Sequence, residues 1–575
     1  MNTLTKALYL FLLGHSTLLM GCGAGESAST DNDEFFVPGD LSLVSSDPFD
    51  RSRLMIVQID MGDEDYAALA QEGRTLGDAL RYCPDDAFEY TQFLATVNID
   101  GETIRQVSVR KKGFLGSLSA EKPSFKLDFS EFIEGQMAKG LEKMTLNNNR
   151  QDPAVVRQCL AYDIYAAAGL NVPRCSWARV YVNGEDMGVY THVESIGKPF
   201  LARTFGNDSG NLYEAQMAEF GEHLNDRFQL KTNKRENNRS DLKRVADVLA
   251  SADDNWLESL QAQVDIDEFI QLWAADSVLG NWDSTTGNSN NYFLYHDDGD
   301  GLFHFIPWGT DASFTGDFIL KPGIGPVYKT HGLAYRFYEI PELRQRYETA
   351  VANLLSGAAS GQALLNRINT ITASVPVPDA ALNQLKSFIS GDEQTPSWGT
   401  RLQTAIAAGA TDQTDYRYAD EASVCNPSMF DLAADFSASN STDKGTFTFT
   451  LPGKATVTAN ILWASMGPTG VDSISYRKDD STAPATQALT VIGVDGNSGF
   501  KPYVLQLSLE QRSAVTGSHS LQGFANSLML FRVDSGNDLV LLGTGESGQL
   551  TLTEFDPAAG KFSAAFSLGM RVYEE

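Results

Sequence analysis

The chain has 575 residues, a length that corresponds to between two and four domain-sized units. It has 44 Lys and Arg against 74 Asp and Glu, a formal net charge of -30, so a nucleic-acid partner would need a strong local basic field and is not expected. Apolar residues make up 42% of the chain and aromatic residues 10%, which is too much for a disordered protein and enough for large hydrophobic cores. The composition is that of a globular protein.

Residues 1–22 have the pattern of a lipoprotein signal peptide. Lys6 precedes a short apolar stretch, which ends in the run Leu19–Cys22 and resembles a bacterial lipobox. Lipidation of Cys22 would attach the protein to a membrane through acyl chains alone; an ordinary signal peptide with a chance cysteine is the alternative. Residues 23–50 are rich in Gly, Ser, Asp and Pro and are predicted to be a flexible tether. We therefore predict an exported lipoprotein of the bacterial cell envelope, in the outer membrane or at the cell surface.

The other four cysteines are Cys83, Cys159, Cys175 and Cys425. None forms a close pair of the C-x-x-C type, so a zinc site is not indicated. Outside the cytoplasm, four cysteines permit two disulfides in any of three pairings. Four buried free thiols are the alternative.

Residues 51–420 show strand and helix patterns that predict one large α+β domain. A strand is expected near Leu54–Ile59 and a helix from Asp63. A helix is also expected to open at Asp152-Pro153, since Asp is a good N-cap and Pro suits the first helical position. The remaining predicted elements are hairpins about Asp100-Gly101, Asn183-Gly184 and 298–301, a core helix from Asp265, and a mainly helical stretch over 331–410.

The composition changes near Asp420. Beyond this point the chain has seven or so short alternating strands, separated by Gly, Asp, Asn and Ser, with no helical period. This pattern predicts a β-sandwich domain over residues 421–575.

The polar loop 281–291 concentrates a carboxylate, Asp283, with several amides, and Asp311 follows the second strand of the next predicted hairpin. A carboxylate can orient or deprotonate a hydroxyl, and an Asn carbonyl oxygen can bind a cation. Two carboxylates with Asn oxygens form a hard-oxygen set suited to Mg²⁺ and phosphate. By itself, however, a loop of this composition usually only makes a turn.

The order of these features is that of a protein kinase, which presents a catalytic Asp, a metal-binding Asn, a hairpin and a second metal-binding Asp. The spacing from Asp283 to Asn288 equals that of the kinase catalytic loop. Asn291, which leads directly into a predicted strand, is the alternative metal-binding Asn.

Several motifs in the same order resemble the CotH family of atypical, secreted protein kinases. The resemblance runs from about residue 54 to about residue 400. Its most specific pieces are the strand Lys122–Lys126, the Asn run 147–149 leading into a helix, the hairpin from Asn183 to Glu194, and Pro307-Trp308 with Asp311.

The resemblance implies a diverged kinase-like fold that binds ATP and Mg²⁺, or Mn²⁺, and phosphorylates Ser or Thr of extracytoplasmic proteins. It also implies a role for each matching residue. Asp283 would be the catalytic Asp, Asp311 a metal ligand, Asn291 or Asn288 a second metal ligand, Lys126 or else Lys122 or Arg110 the contact to the phosphates, and Glu194 a residue near the nucleotide.

One position departs from the family pattern. Family members commonly have two Asp after Pro-Trp, whereas here Gly309 takes the place of the first and Asp311 that of the second. Asp311 could carry the metal-binding role alone. The alternative function is a catalytically weak or inactive CotH-like surface scaffold or adhesin, whose β-sandwich binds a glycan or a protein. A glycosidase that uses Asp283 and Asp311 is a third hypothesis with less support, since no aromatic sugar platform is recognisable.

Other charged clusters have simpler interpretations. The run Arg110–Gly113 is interpreted as a solvated strand end, with a phosphate cradle as the alternative. Lys231–Arg244 is interpreted as a solvated helix flank, with a face toward an acidic substrate or a nucleotide as the alternative. The acidic run Asp297–Gly301 lacks the ligand ladder of a calcium loop and is interpreted as a hairpin turn. The histidines at positions 192, 296 and 304 share no metal-ligand spacing and are expected to be structural.

Overall fold

The computed structural model describes residues 45–80, 88–222, 224–251, 255–316, 325–410, 427–438, 444–468, 486–496, 501–510, 515–521, 523, 526–534, 539–556 and 561–572. The signal segment with Cys22, most of the tether, Cys83 and Cys425 lie outside these ranges. No helix within them combines the length and the apolar character that a membrane span requires.

The first sheet is a closed seven-stranded barrel with the order β1-β2-β3-β4-β5-β7-β6, in which β6 pairs with β1 in parallel. Its strands are β1 (Met55–Asp60), β2 (Phe93–Ile99), β3 (Glu102–Lys112), β4 (Ser124–Asp128), β5 (Lys143–Asn147), β6 (Cys175–Val182) and β7 (Glu185–Val193), with helices α1 (Asp63–Gln71) and α2 (Leu76–Leu80) between β1 and β2.

Both predicted hairpin turns in this barrel are confirmed. Asp100 and Gly101 have φ of 51° and 88°, and Asn183 and Gly184 have φ of 50° and 79°. A two-residue turn with positive φ at both positions matches the twist of the strands that it joins, and Asn, Asp and Gly adopt it most readily.

The second part of the domain is a four-stranded antiparallel sheet, order β11-β10-β8-β9, packed among helices. Its strands are β8 (Asn211–Ala215), β9 (Phe228–Leu230), β10 (Tyr292–His296) and β11 (Phe303–Pro307). The helices are α3 (Arg157–Ala167), α4 (Lys198–Phe205), α5 (Ser240–Ala250), α6 (Trp256–Gln261), α7 (Ile266–Leu279), α8 (Thr285–Asn288), α9 (Gly332–Glu339), α10 (Pro341–Ser356), α11 (Gly361–Thr372), α12 (Asp379–Ser390) and α13 (Trp398–Ala407).

The central helix is α7, as its apolar spacing predicts. Asp265 caps its first turn by accepting the Glu268 N–H at 2.9 Å, and Gly280, with φ of 55°, ends it. Trp273, on its buried side, stacks on Tyr347 of α10 with ring centroids 3.9 Å apart. The helix therefore has a fixed end, from which the polar loop 281–291 starts.

The helix predicted to open at Asp152-Pro153 begins four residues later, at Arg157. Val155 adopts a φ of 63°, which the helix cannot include. Asp152 still caps the helix from this distance, since its Oδ2 accepts the Arg157 N–H at 2.8 Å. A disulfide joins Cys159 of α3 to Cys175 at the start of β6, so these two cysteines are not free thiols.

The C-terminal strands form one continuous antiparallel sheet, which corrects the predicted β-sandwich. The strand order is β17-β19-β18-β16-β15-β14-β13-β12-β20, and β19 also pairs with β20, so the sheet closes on itself. The strands follow one another mostly as neighbours, and this local pairing leaves no break between two sheets within the described residues. They are β12 (Met429–Ala438), β13 (Lys444–Phe449), β14 (Val457–Pro468), β15 (Thr486–Asp495), β16 (Lys501–Glu510), β17 (Gly517–Ser520), β18 (Ser527–Val533), β19 (Leu539–Asp556) and β20 (Lys561–Val572).

The hairpin of β10 and β11 is tied to α7 through His304. The two ring nitrogens of His304 lie 3.1 Å from Glu268 of α7 and 3.1 Å from Asp300 of the turn. Burial alone would lower the pKa of His304, but the hydrogen bonds to Glu268 and Asp300 raise it to about 9. The imidazolium therefore connects the two elements that precede Asp283 and Asp311.

This raised pKa predicts a loss of stability in alkaline solution. A histidine whose folded pKa exceeds its unfolded value of 6.5 stabilises the fold below pH 6.5, and that stability is lost as pH rises to about 9. Allowing for screening by solvent, we expect the free energy of unfolding to fall by about 2 kcal/mol over this window. Urea unfolding of the wild type and His304→Gln at both pH values measures it. Equal pH slopes for the two proteins would contradict the assignment.

Candidate functional site

A cavity of about 1310 Å³ opens between the barrel and the helical part of the domain. The structure brings most of the residues singled out from the sequence to its wall. These are Arg110, Lys126, Glu194, Asp283, Asn288, Asn291 and Asp311. Lys122 is not among the lining residues.

Three amides hold the carboxylate of Asp283. Its Oδ1 accepts hydrogen bonds from Nδ2 of Asn288 at 2.8 Å and of Asn290 at 3.1 Å. Its Oδ2 accepts one from Nδ2 of Asn291 at 2.7 Å, and the same nitrogen also donates to the Asp283 carbonyl at 2.9 Å. The side chain is therefore fixed at the cavity wall, and the amides of Asn288 and Asn291 turn their nitrogens toward it.

The loop around Asp283 is built on a buried carboxylate, Asp276 of α7. Its Oδ1 accepts the Tyr165 hydroxyl at 2.6 Å, and its Oδ2 accepts both the N–H and the hydroxyl of Thr286 at 2.9 and 2.8 Å. Ser284 caps α8 by accepting the Gly287 N–H at 3.2 Å. The loop is thus not a solvated turn. It is buried and fixed by hydrogen bonds, and it orients Asp283.

Asp311 faces the same cavity from a single 3₁₀ turn, Thr310–Ala312, which follows β11. Burial raises the pKa of Asp311 to about 6, with the charge of Asp283 adding to the rise and Lys112 and Arg157 opposing it. Asp283 and Asp311, 28 positions apart in the sequence numbering, therefore line the same cavity.

Gly309 makes room for the Asn291 amide. It has a φ of 52°, and a Cβ at this position would lie 2.5 Å from Asn291 Oδ1. The Gly at position 309, where the family commonly has Asp, therefore fits this structure, because the Asn291 amide oxygen occupies the space that a side chain would need.

We expect Gly309→Ala to destabilise the domain more than Gly301→Ala does. Gly301 also has a positive φ, 79°, but no described atom lies within 4 Å of the point where its Cβ would stand, so its substitution carries only the conformational cost of about 1 kcal/mol. The contact with Asn291 should add at least about 1 kcal/mol at position 309. Urea unfolding of the two variants measures the difference, and equal losses would show that the amide does not occupy this space.

Cations from the barrel form the opposite wall. Arg110 on β3 lies directly across from Lys126 on β4. Burial, together with repulsion from Arg110 and Lys231, lowers the pKa of Lys126 to about 7. An anion that binds between these cations would reduce the electrostatic repulsion among them.

Lys112 shares a face of β3 with Arg110, two positions away, and is also half-buried. Its Nζ donates to Asn147 Oδ1, and burial lowers its pKa to about 8 while Asp311 opposes the change. The prediction of a solvated strand end is therefore wrong. Lys111, between the two, is fully buried and donates to the Ala70 carbonyl at 2.7 Å.

Arg157, at the first turn of α3, lines the cavity although only 1% of it is exposed to solvent. Its Nε lies 3.9 Å from Asp152 Oδ1, and neither Nε nor Nη1 has a hydrogen-bond partner among the described residues. A buried guanidinium with unused donors beside a cavity is suited to bind an anion there.

Two further charged residues of the wall are Glu214 of β8, which is not predicted from the sequence, and Lys231, for which a position facing a nucleotide was the alternative interpretation. Lys231, expected on a solvated helix flank, instead lines the cavity and forms an ion pair with Glu214. Burial would raise the pKa of Glu214, but Lys231, Lys126 and Lys112 hold it below its ordinary value. The alternation of β3 could have indicated Lys112, whereas nothing in the local sequence indicates Glu214.

Two of the predicted nucleotide contacts are engaged elsewhere. Lys122 is buried; its Nζ donates to the Val189 carbonyl at 2.9 Å and lies 4.7 Å from the centroid of the Tyr190 ring. Glu194 lines the cavity, but its two carboxylate oxygens accept hydrogen bonds from Arg174 and Arg203. Of the three cations considered for the phosphates, Lys126 and Arg110 thus have the better position.

The residues present fit a hard divalent cation with a phosphate chain. Carboxylate and amide oxygens, the ligands that Mg²⁺ prefers, come from Asp311 and from Asn side chains that line the same cavity. The described wall contains eleven Lys and Arg against eight Asp and Glu, an excess of positive charge in a chain whose net charge is -30. The cavity therefore concentrates positive charge where an anion could bind.

Residues 109–383 match the family model described as "CotH kinase protein". This part of the chain is a CotH domain. Asp283, Asp311 and all the cations of the opposite wall described above lie within the matched range.

Two curated proteins of Bacillus subtilis (strain 168) are similar to part of this chain. "Inner spore coat protein H" is 24% identical over 238 residues, which is 39% of this chain and 65% of that protein. "Inner spore coat protein H-like protein" is 22% identical over 256 residues, 44% of this chain and 72% of that protein. The match thus spans a little under two thirds of the first relative.

Proposed function

We propose that this protein is a CotH-type kinase that transfers the terminal phosphate of ATP to Ser or Thr side chains of proteins outside the cytoplasm. The observation that carries the proposal is that Asp283 and Asp311 line one cavity together with a cluster of barrel cations that includes Lys112 and Lys126. Together with the CotH match, this arrangement supports phosphoryl transfer better than a glycosidase, which would need no cluster of cations.

Each wall of the cavity has a distinct task in this proposal. Asp283, held by three amides, would orient the substrate hydroxyl and accept its proton. Asp311 and the side-chain amide oxygen of Asn291 would hold Mg²⁺, which when bound would neutralise charge on the phosphates. Lys126 and Arg157 would contact phosphate oxygens from the other side. Positioning and charge neutralisation supply most of the rate in such reactions.

The location outside the cytoplasm rests on two further observations. The lipobox-like run Leu19–Cys22 indicates export, and both curated relatives are named as spore coat proteins. We therefore propose a surface-tethered protein whose partners are extracytoplasmic proteins.

Thermal unfolding with and without nucleotide tests the proposal against an inactive scaffold. At a hundredfold excess of Mg·ATP over its Kd, binding should stabilise the native domain by about 2.7 kcal/mol. The double variant Lys112→Met with Lys126→Met should show a much smaller shift, whereas Asp298→Asn, in an exposed turn, should behave like the wild type. No shift for the wild type would favour the scaffold.

A further inference from the structure

The C-terminal sheet contacts the CotH domain close to the cavity through a buried carboxylate, Glu510. This residue ends β16 and is 1% exposed. Its carboxylate accepts hydrogen bonds from the Ser119 hydroxyl and from the Ala120 N–H at 2.8 Å. It also forms a buried ion pair with Arg150, with 2.9 Å between Nη1 and Oε1. All three donors belong to the CotH domain.

Two of these donors, Ser119 and Ala120, lie in the connection between β3 and β4, residues 113–123, which we call the wall loop. Gly113, Phe114, Gly116 and Ser117 of this loop line the cavity. Beyond Ser117 the loop turns away from the cavity to reach Glu510. The C-terminal sheet is therefore hydrogen-bonded to the part of the wall loop that does not line the cavity.

Asn148 links the same loop to Arg150. Its Nδ2 donates to the carbonyls of Ser117 and Lys122 at 3.0 and 2.7 Å, and its Oδ1 accepts the Arg150 N–H at 3.1 Å. The Glu510 carboxylate thus completes a closed set of hydrogen bonds around the wall loop. Removal of one charged partner from such a set leaves buried donors without an acceptor.

A second contact of the C-terminal sheet supports the same wall. Leu76 packs in a buried apolar cluster with Val504, Met529, Phe531 and Leu541 of the sheet. Two positions earlier, Arg74 lines the cavity, and its guanidinium lies 4.8 Å from the centroid of the Phe114 ring in the wall loop.

We propose that Glu510 is a positioning residue: the C-terminal sheet uses it to hold the wall loop in the shape that the cavity requires. The C-terminal domain is then a structural part of the candidate site. The consequence for nucleotide binding rests on the proposed function, whereas the ordering of the loop does not.

Hydrogen–deuterium exchange of the full chain tests the ordering directly. Glu510→Gln keeps the shape of the side chain but removes its charge, and Glu554→Gln changes an exposed glutamate of the same domain as a matched control. We expect exchange of residues 113–123 to rise roughly tenfold in Glu510→Gln and to stay at the wild-type rate in Glu554→Gln. Wild-type exchange of this loop in Glu510→Gln would overturn the proposal.

Exchange in a second variant and the affinity for Mg·ATP test the positioning role further. If Glu510→Gln does not fold, Ser119→Ala removes a single donor, and unchanged exchange of the wall loop in that variant would equally overturn the proposal. If the wild type binds Mg·ATP, its Kd should rise several-fold in Glu510→Gln, and an unchanged Kd would refute the positioning role. A wild type that binds no nucleotide would defeat the proposed function alone, since the exchange result does not depend on it.

Discussion

Replacing Asp283 by Asn is expected to slow phosphoryl transfer by about 10²–10⁴-fold, while the affinity for Mg·ATP stays close to that of the wild type. An amide occupies the same space but cannot accept a proton from the substrate hydroxyl. The three Asn side chains that now donate to the carboxylate would lose their acceptors in part, so the loop should be somewhat less stable. Transfer of labelled phosphate to a Ser-containing and Thr-containing protein mixture measures the effect.

Asp298→Asn is the matched control for this experiment. Asp298 is exposed in the turn between β10 and β11, and its carboxylate accepts hydrogen bonds from the side chains of Asn207 and Ser209, away from the cavity wall. Transfer by Asp298→Asn should equal that of the wild type. Transfer by Asp283→Asn at the wild-type rate would show that Asp283 is not the catalytic Asp.

Replacing Asp311 by Ala is expected to abolish the dependence of nucleotide binding on Mg²⁺ and to reduce transfer by at least about a hundredfold. Loss of the carboxylate removes the proposed metal ligand and also a negative charge that interacts with Lys112. ATP without metal should therefore bind to Asp311→Ala at least as tightly as it binds to the wild type. Titration calorimetry with and without Mg²⁺ separates these two effects.

Stability should change in the opposite direction from activity in this variant. Burial raises the pKa of Asp311 above its unfolded value of 3.8 to about 6, so the ionised side chain destabilises the fold once the pH exceeds 3.8, and fully above about 6. Asp311→Ala should therefore unfold at the same temperature as the wild type at pH 7, or at a higher one. A lower unfolding temperature with lost activity would instead indicate a structural role.

The parts of the fold that the sequence predicted are those determined by neighbours along the chain. The turns at Asp100-Gly101 and Asn183-Gly184 need positive φ at two consecutive positions, a requirement that few residue types satisfy. The helix α7 has a capping Asp265, apolar residues at helical spacing and a terminal Gly280, all visible in the sequence. Asp283 could be singled out because it follows such a well-marked helix.

The parts that the sequence did not predict depend on pairing between distant segments. Lys122 and Lys126 lie on one short stretch, and only the packing of Lys122 against Val189 and Tyr190 shows that it does not reach the cavity. Glu214 joins the site because β8 brings it opposite the barrel cations. Likewise, no local pattern shows that β19 pairs with both β18 and β20, which closes the C-terminal sheet.

The central claim is that Asp283 and Asp311 meet at one metal–nucleotide site, and a crystal of the full chain with Mn²⁺ and a non-hydrolysable ATP analogue tests it most directly. We predict an anomalous peak for Mn²⁺ within about 2.2 Å of an Asp311 carboxylate oxygen, with the phosphate chain between Asp283 and Lys126. A nucleotide bound elsewhere, or a metal held without Asp311, would contradict the claim.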